Sequence, residues 1–172
     1  LNDLDYQTFT FTPDGSASYY AVCREVATNF LTDPTGGTAV SLGDDTYAQV
    51  TLLGTNTIAI YGRRTNVFFI GSNGYLTLGS GDSSMVESFS THFNRSRVSA
   101  LFADLYPNAG QVTWMQLSNR VAVTFLNVRE YSYSNTNSFQ MEMFDDGRIR
   151  LTYLRVDAVA GLAGLSAGQG VP

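Results

Sequence analysis

The segment Ser72-Asn73-Gly74 constrains the fold of this chain more than any other stretch of its sequence. An apolar run rich in β-branched and aromatic residues (66–70) precedes it, and a run of alternating character (75–78) follows it. An Asn-Gly pair between two such runs is the strongest local signal for a β-hairpin, because both central positions of the tight turn need positive φ. We therefore expect two antiparallel strands joined at Asn73-Gly74, and we expect these residues to form a turn and nothing more.

Similar strand patterns recur along most of the chain. Period-2 alternation and short apolar runs bounded by turn residues predict strands over residues 8–12, 18–22, 47–53, 57–61, 66–70, 75–78, 97–103, 111–117, 120–128, 137–144, 148–155 and 161–166. The alternation groups three sets of side chains on single faces, namely Val121, Val123 and Phe125; Phe139, Met141 and Met143; and Ile149, Leu151 and Tyr153. Many short strands with frequent turns predict an all-β fold, an antiparallel, jelly-roll-like β-sandwich.

One segment interrupts the strands, and one loop suggests a boundary. Ser84 is followed three residues later by Glu87, a spacing typical of a capping box, so we expect at most one short helix near residues 83–93. A length of 172 residues indicates a single domain. Within it, we expect residues 1–40 to be leader strands packed on or extending the main body, and residues 41–172 to form the sandwich.

Composition excludes several classes of protein. The formal net charge is −5 and all ten basic residues are Arg, scattered along the chain, which argues against nucleic acid as a partner. No apolar run approaches the roughly 18 residues that a membrane span requires. Cys23 is the single cysteine, so no internal disulfide can form, and we expect a buried structural thiol. The chain begins at Leu1 without methionine, and we expect a processed product or an excised module.

Four segments, in order, resemble a known family. They are Ser72-Asn73-Gly74-Tyr75 with the strand after it, the run 97–105 ending at Asp104-Leu105, the segment 137–147, and the Gly-rich run 160–168. Together they resemble the nidogen-like (NIDO) extracellular module over roughly residues 42–172. The resemblance implies a secreted, non-catalytic β-sandwich carried within larger extracellular or cell-surface proteins. Family members commonly have an aromatic-Trp-Asp sequence where this chain has Phe102-Ala103-Asp104.

Acidic loop residues are candidates for a metal site. Calcium needs six to eight oxygen ligands, which are usually supplied by carboxylates that converge from loops. Asp44, Asp45 and Asp104 are the candidate ligands, and calcium is the one cofactor that we consider. The alternative is that such residues lie in turns because Asp side chains bond to their own backbone, and we prefer that interpretation for Asp145-Asp146-Gly147.

Aromatic residues are the second kind of candidate. Tyr106, Trp114, Tyr131 and Tyr133 are candidate ligand-binding residues, because flat aromatic faces can stack on sugar rings. The alternatives are that Trp114 is buried and that Tyr131 and Tyr133 are ordinary loop residues.

No zinc-protease motif is present in the sequence, since His92 is the only histidine and there is no H-E-x-x-H sequence. The G-x-S-x-G match at Gly164-Leu165-Ser166-Ala167-Gly168 overlaps the Gly-rich run 161–166 that we assign to a strand. Together with the all-β pattern, the acidic composition and the missing methionine, the resemblance to the NIDO module implies a non-enzymatic, secreted or cell-surface bacterial module, flanked by other domains, that binds a glycan or an extracellular protein. A self-assembling subunit of an extracellular filament or coat, in which residues 1–40 pair with a neighbour's sheet edge, is the alternative. A small hydrolase or lyase domain is a third hypothesis.

Overall fold

The computed structural model describes residues 2–16 and 18–172, and in them β-strands dominate. The strands are β1 (Gln7–Pro13), β2 (Tyr20–Val26), β3 (Thr38–Ala39), β4 (Tyr47–Thr51), β5 (Ile58–Ile60), β6 (Arg63–Thr65), β7 (Val67–Gly71), β8 (Tyr75–Thr77), β9 (Ser96–Phe102), β10 (Leu105–Tyr106), β11 (Gln111–Gln116), β12 (Arg120–Glu130), β13 (Asn137–Phe144), β14 (Ile149–Val156) and β15 (Leu162–Ala167). A helix, α1 (Phe89–Phe93), precedes β9.

The strands form two packed antiparallel sheets. The large sheet has the order β2-β1-β14-β13-β12-β11-β3, and β10 pairs with the far end of β12. The small sheet has the order β15-β9-β8-β7-β4, and β5 and β6 form a separate two-stranded ribbon. The prediction of an antiparallel β-sandwich is therefore confirmed.

The core lies between the facing surfaces of the two sheets. The predicted sets on β12 and β13 point into it: Val121, Val123 and Phe125 are at most 1% exposed, and Phe139 is fully buried. The rings of Phe125 and Phe139 stack with their centroids 4.8 Å apart. Side chains of the small sheet that complete this cluster include Phe68, Ile70, Leu76 and Val98. Alternation predicted this face correctly because side chains on a strand alternate between the two sides of the sheet.

The outer face of the large sheet is also buried, although its residues are polar. Gln140, Glu142 and Thr152 are all fully buried. Glu142 forms ion pairs with Arg120 and Arg150. The loop after β2 crosses this face, and its Thr32 bonds to Gln140 and Glu142. Burial is tolerated here because each of these polar groups has hydrogen-bond partners.

The outer face of the small sheet is covered in a similar way. The Arg97 side chain on β9 is fully buried and forms an ion pair with Asp82. Its guanidinium carbon lies 4.3 Å from the centre of the Tyr75 ring and 5.0 Å from that of Phe102. Cation–π contacts of this kind are strongest where water is excluded.

The hairpin at Ser72-Asn73-Gly74 differs in detail from the prediction. Gly71 pairs with Tyr75, which leaves a three-residue loop. Gly74 has a φ of +78°, whereas Asn73 is not among the positive-φ residues. The prediction of positive φ at both positions is therefore wrong, because three-residue loops need only one left-handed residue. The loop is also buried, since Ser72 and Asn73 have no exposed surface.

The short helix is present, but its predicted cap is wrong. Helix α1 has Ser88 as its N-cap, and the Ser88 side chain accepts a hydrogen bond from the backbone N–H of Thr91 at 3.0 Å. Ser84 instead donates its hydroxyl to Asp82 Oδ1 at 2.8 Å. Ser84 therefore bonds to the Asp82 carboxylate and does not cap the helix.

The N-terminal strands lie at one edge of the large sheet. β1 pairs with β14 along its inner side, and β2 pairs with β1 along its outer side. Cys23 lies in the middle of β2 and is exposed. The prediction of a buried thiol is therefore wrong, because no described segment covers the face of this edge strand that carries Cys23.

Candidate functional site

Three carboxylates converge at one end of the sandwich. Asp44 and Asp45 occupy the turn before β4, and Asp104 lies between β9 and β10. One carboxylate oxygen from each residue lies within 4.8 Å of those of the other two. The structure thus brings together all three residues that the sequence nominated as metal ligands.

The buried hairpin loop holds this cluster in place through Asn73. The Asn73 side chain donates to Asp45 Oδ1 at 2.9 Å and to the Ser84 carbonyl at 3.2 Å. Its Oδ1 accepts the backbone N–H of Leu105 at 2.8 Å, next to Asp104. Asn73 therefore links the two loops that carry the acids. The expectation that this residue only forms a turn is wrong. The Asn-Gly pair explained its presence as a turn residue, so the sequence did not indicate that its side chain also bonds to the neighbouring loops.

The cluster carries uncompensated negative charge. Burial raises the pKa of the Asp104 carboxyl, and repulsion from Asp45, Asp44, Glu130 and Glu87 raises it further. Burial and the charge of Asp45 raise the pKa of Asp44 as well. Within the described part of the chain, Asp104 Oδ1 is buried and has no hydrogen-bond partner. The environment at this point favours either a proton or a bound cation.

The spacing of the carboxylates suits a divalent cation. Calcium–oxygen distances are about 2.3–2.6 Å, so two oxygens on one ion lie at most about 5 Å apart. The observed spacing, within 4.8 Å, satisfies that limit for all three residues. Three carboxylates offer up to six oxygens, and water can supply the remaining ligands of a calcium ion.

Two of the predicted aromatic residues contact each other beside this cluster. Tyr106 on β10 and Tyr131 in the loop after β12 pack edge to face, with ring centroids 6.0 Å apart. The backbone N–H of Tyr131 donates to the Asp104 carbonyl at 2.7 Å, so the aromatic pair and the acids share one framework. Tyr131 is 47% exposed, and Tyr133, in the same loop, is 53% exposed.

Trp114 lies elsewhere. It pairs with Val123 across β11 and β12, whereas Tyr106 pairs with Arg129 further along β12. At about 3.3 Å per residue, the two positions on β12 are roughly 20 Å apart. Trp114 is partly buried and packs against the core.

His92 is buried rather than presented to solvent. Its side chain is 1% exposed, and its Nδ1 lies 3.0 Å from the Ser99 hydroxyl, which is itself fully buried. Burial lowers the pKa of His92 to about 4, so the imidazole is neutral at neutral pH. This serine–histidine pair stabilises the packing of α1 on β9.

Comparison with known proteins identifies a family. No curated protein and no solved structure matches the chain. In its described residues, no helix is both long and apolar enough for a membrane crossing. A family model described as NIDO related matches residues 19–171, which include β2 to β15. The match begins earlier than the resemblance seen in the sequence, because it includes the second leader strand. The chain belongs to the NIDO-related family.

Proposed function

We propose that this chain is a non-catalytic extracellular module that binds a glycan in the presence of calcium. The proposed site, which we name the acidic–aromatic end, consists of Asp44, Asp45, Asp104, Tyr106, Tyr131 and Tyr133. The observation that carries the proposal is the junction of the two groups at one backbone position, where the N–H of Tyr131 bonds to the carbonyl of Asp104. Membership of the NIDO-related family supports the extracellular, secreted or cell-surface setting.

The two halves of the site have complementary chemistry. A bound calcium ion would neutralise the repulsion that raises the pKa values of Asp44 and Asp104. Open positions on such an ion accept hydroxyl oxygens, which sugars present in pairs. The exposed Tyr131 ring supplies an apolar face beside these positions, with its edge-to-face contact to Tyr106 fixing its orientation. The ion would therefore bind the polar edge of a sugar while the ring packs against its apolar face.

The calcium part of the proposal is tested by thermal denaturation. We expect millimolar calcium to raise the melting temperature of the wild-type chain, because a ligand that binds only the native state stabilises it. Asp104→Asn should abolish this increase. It should also raise the melting temperature in the presence of EDTA at pH 7, since it removes the repulsion at Asp104.

Asp146→Asn is the matched control, because Asp146 is an exposed turn residue paired with Arg148 and lies outside the site. This variant should retain the full calcium response. An equal response in wild type and Asp104→Asn would refute a calcium site at the acidic–aromatic end.

The glycan part is tested separately on a panel of immobilised polysaccharides. We expect calcium-dependent binding that Tyr131→Ala weakens by about tenfold, which corresponds to about 1.4 kcal/mol. Tyr19→Ala is the control, because Tyr19 is 70% exposed but lies beside β2. No binding to any polysaccharide, or equal loss in both variants, would contradict the glycan assignment. The calcium response would then indicate a structural ion or a site for a protein partner.

A further inference from the structure

The outer edge of β2 is open in the part of the chain that the structure describes. β2 spans Tyr20–Val26 at the end of the large sheet, and among the described strands it pairs with β1 alone. Six of its seven residues are exposed, including Val22 at 56% and Val26 at 78%. Proteins usually protect edge strands with proline, lysine, bulges or shortening, because a free edge pairs readily with another strand. This strand contains neither proline nor lysine, and its register with β1 is continuous.

The hydrogen bonds at the two ends of the β1–β2 ladder show which groups face outward. Ala27 N–H donates to the Tyr6 carbonyl at 2.9 Å, and Asp14 N–H donates to the Tyr19 carbonyl at 3.4 Å. Hydrogen-bonded pairs alternate along an antiparallel ladder, so the Thr10–Cys23 pair is also of this type. The N–H and C=O groups of Cys23 therefore point toward β1. Those of the residues on either side of Cys23 point away from the protein.

We propose that β2 pairs antiparallel with β2 of a second copy, about a two-fold axis that passes beside Cys23. This register is the one that pairs all seven residues, because Cys23 is the central residue of Tyr20–Val26. The outcome is a closed dimer in which the two large sheets become one continuous sheet. The inference is independent of the acidic–aromatic end and goes beyond the function proposed for it.

The side chains that this register brings together are compatible. Val22 lies opposite Arg24 of the second copy, and Tyr20 lies opposite Val26, an aromatic–aliphatic pair that favours sheet formation. Glu25 lies opposite Ala21, so no two like charges face each other directly. Arg24 already bonds within its own chain, to the Gln7 side chain at 2.9 Å, which leaves its aliphatic portion for contact with valine. Pairing covers the exposed valines of both copies.

The register makes a specific prediction about the thiols. Because the Cys23 backbone groups face β1, the two Cys23 residues form a non-hydrogen-bonded pair, with Cα atoms about 4.5 Å apart. A disulfide requires Cα separations of about 4.4–6.8 Å. Oxidised glutathione can therefore link the copies by two exchange steps. One thiolate displaces glutathione to give a mixed disulfide, and the second thiolate displaces the other glutathione, so the two thiols are oxidised and two molecules of glutathione are released.

Disulfide trapping tests the register. The full chain is incubated with oxidised glutathione and analysed on a non-reducing gel, where we expect a covalent dimer that is absent with Cys23→Ser. On the Cys23→Ser background, Ala21→Cys alone and Glu25→Cys alone should give little dimer, whereas their mixture should crosslink efficiently. Equal crosslinking in the mixture and in the single variants would indicate random collision and overturn the register.

A charge substitution tests the non-covalent contact. Val22→Glu places a carboxylate opposite Arg24 of the second copy, and Val22→Arg places a guanidinium there; both remove the same valine. With two such contacts in a dimer, we expect sedimentation equilibrium under reducing conditions to show a dissociation constant about tenfold or more lower for the glutamate variant. Melting temperatures at low concentration confirm that both variants fold. Equal dissociation constants, a monomer at all concentrations, or open-ended polymers would overturn the proposal.

Discussion

The buried His92 predicts a specific loss of stability in mild acid. Burial lowers its pKa from 6.5 to about 4; a hydrogen bond with the Leu165 backbone opposes this, and the positive charge of Arg97 adds a smaller lowering. The native state therefore holds a neutral imidazole, whereas the unfolded chain binds a proton below pH 6.5. The stabilisation is fully present above the unfolded pKa and is lost as the pH falls through 6.5 toward 4.

The pKa difference sets the size of this effect. The interval from 6.5 to about 4 corresponds to about 3 kcal/mol of unfolding free energy when both states have protonated fully, at 1.36 kcal/mol per unit of pKa. At pH 5 the loss is about 2 kcal/mol, because the unfolded chain is then almost fully protonated at this residue and the native state is not. Such a loss is a large fraction of the stability of an ordinary domain.

The assay compares wild type with His92→Gln, whose side chain stays neutral. Urea denaturation at pH 7.5 and pH 5 gives the unfolding free energy of each chain. Wild type should lose about 2 kcal/mol more than the variant between the two pH values. The carboxylates titrate in both chains and cancel in this difference, including Asp104, whose raised pKa has the opposite effect on stability in acid. Equal losses in the two chains would refute the assignment of a neutral, buried His92.

Three further predictions concern buried groups and are measured by urea denaturation at pH 7. Arg97→Met should lower the unfolding free energy by about 3–5 kcal/mol, because it removes the buried cation of Asp82 and leaves the more exposed Arg95, at 3.9 Å, as the remaining one; adding Asp82→Asn should restore part of the loss. Gly74→Ala should cost about 2–4 kcal/mol, because a Cβ there would lie 2.0 Å from the Leu101 carbonyl oxygen and the φ is +78°. Glu142→Gln should lower the unfolding free energy by about 3 kcal/mol, because Arg120 and Arg150 lose their carboxylate partner. For any of these three variants, a change in unfolding free energy under about 0.5 kcal/mol would contradict the stated cause.

The sequence predicted best where one physical rule decided the outcome. Alternation of apolar residues identified the inward face of β13, because an apolar side chain such as Met141 is stabilised by burial between the sheets. The same rule gave no prediction for Gln140 and Glu142, which flank Met141 on the opposite face of β13 and are equally buried. Polar side chains are compatible with solvent or with a hydrogen-bonded interior, and only the loop carrying Thr32 decides between them.

The candidate site shows the same division. Local composition nominated Asp44, Asp45 and Asp104 as acids in loops, and the structure brings them together because Asn73 joins the two loops. No periodicity in the sequence indicates that link, since it depends on how the β7–β8 loop, the turn before β4 and the start of β10 come together in the fold. For Trp114, the alternation along its strand did not decide which side of the sheet it lies on. Its pairing with the buried Val123 shows that it faces the core.

By itself, the sequence predicted an antiparallel β-sandwich, because strand periodicity and turn residues act between near neighbours in the chain, and its resemblance to the NIDO module rested on four motifs in order. Tertiary structure alone decided which polar faces are covered, how the acids meet the tyrosines, and that Cys23 lies on an open edge. These properties arise from contacts between segments far apart in sequence. The opening hairpin belongs to both categories: its strands were predicted locally, and the role of Asn73 in holding the acidic cluster became evident only from the folded chain.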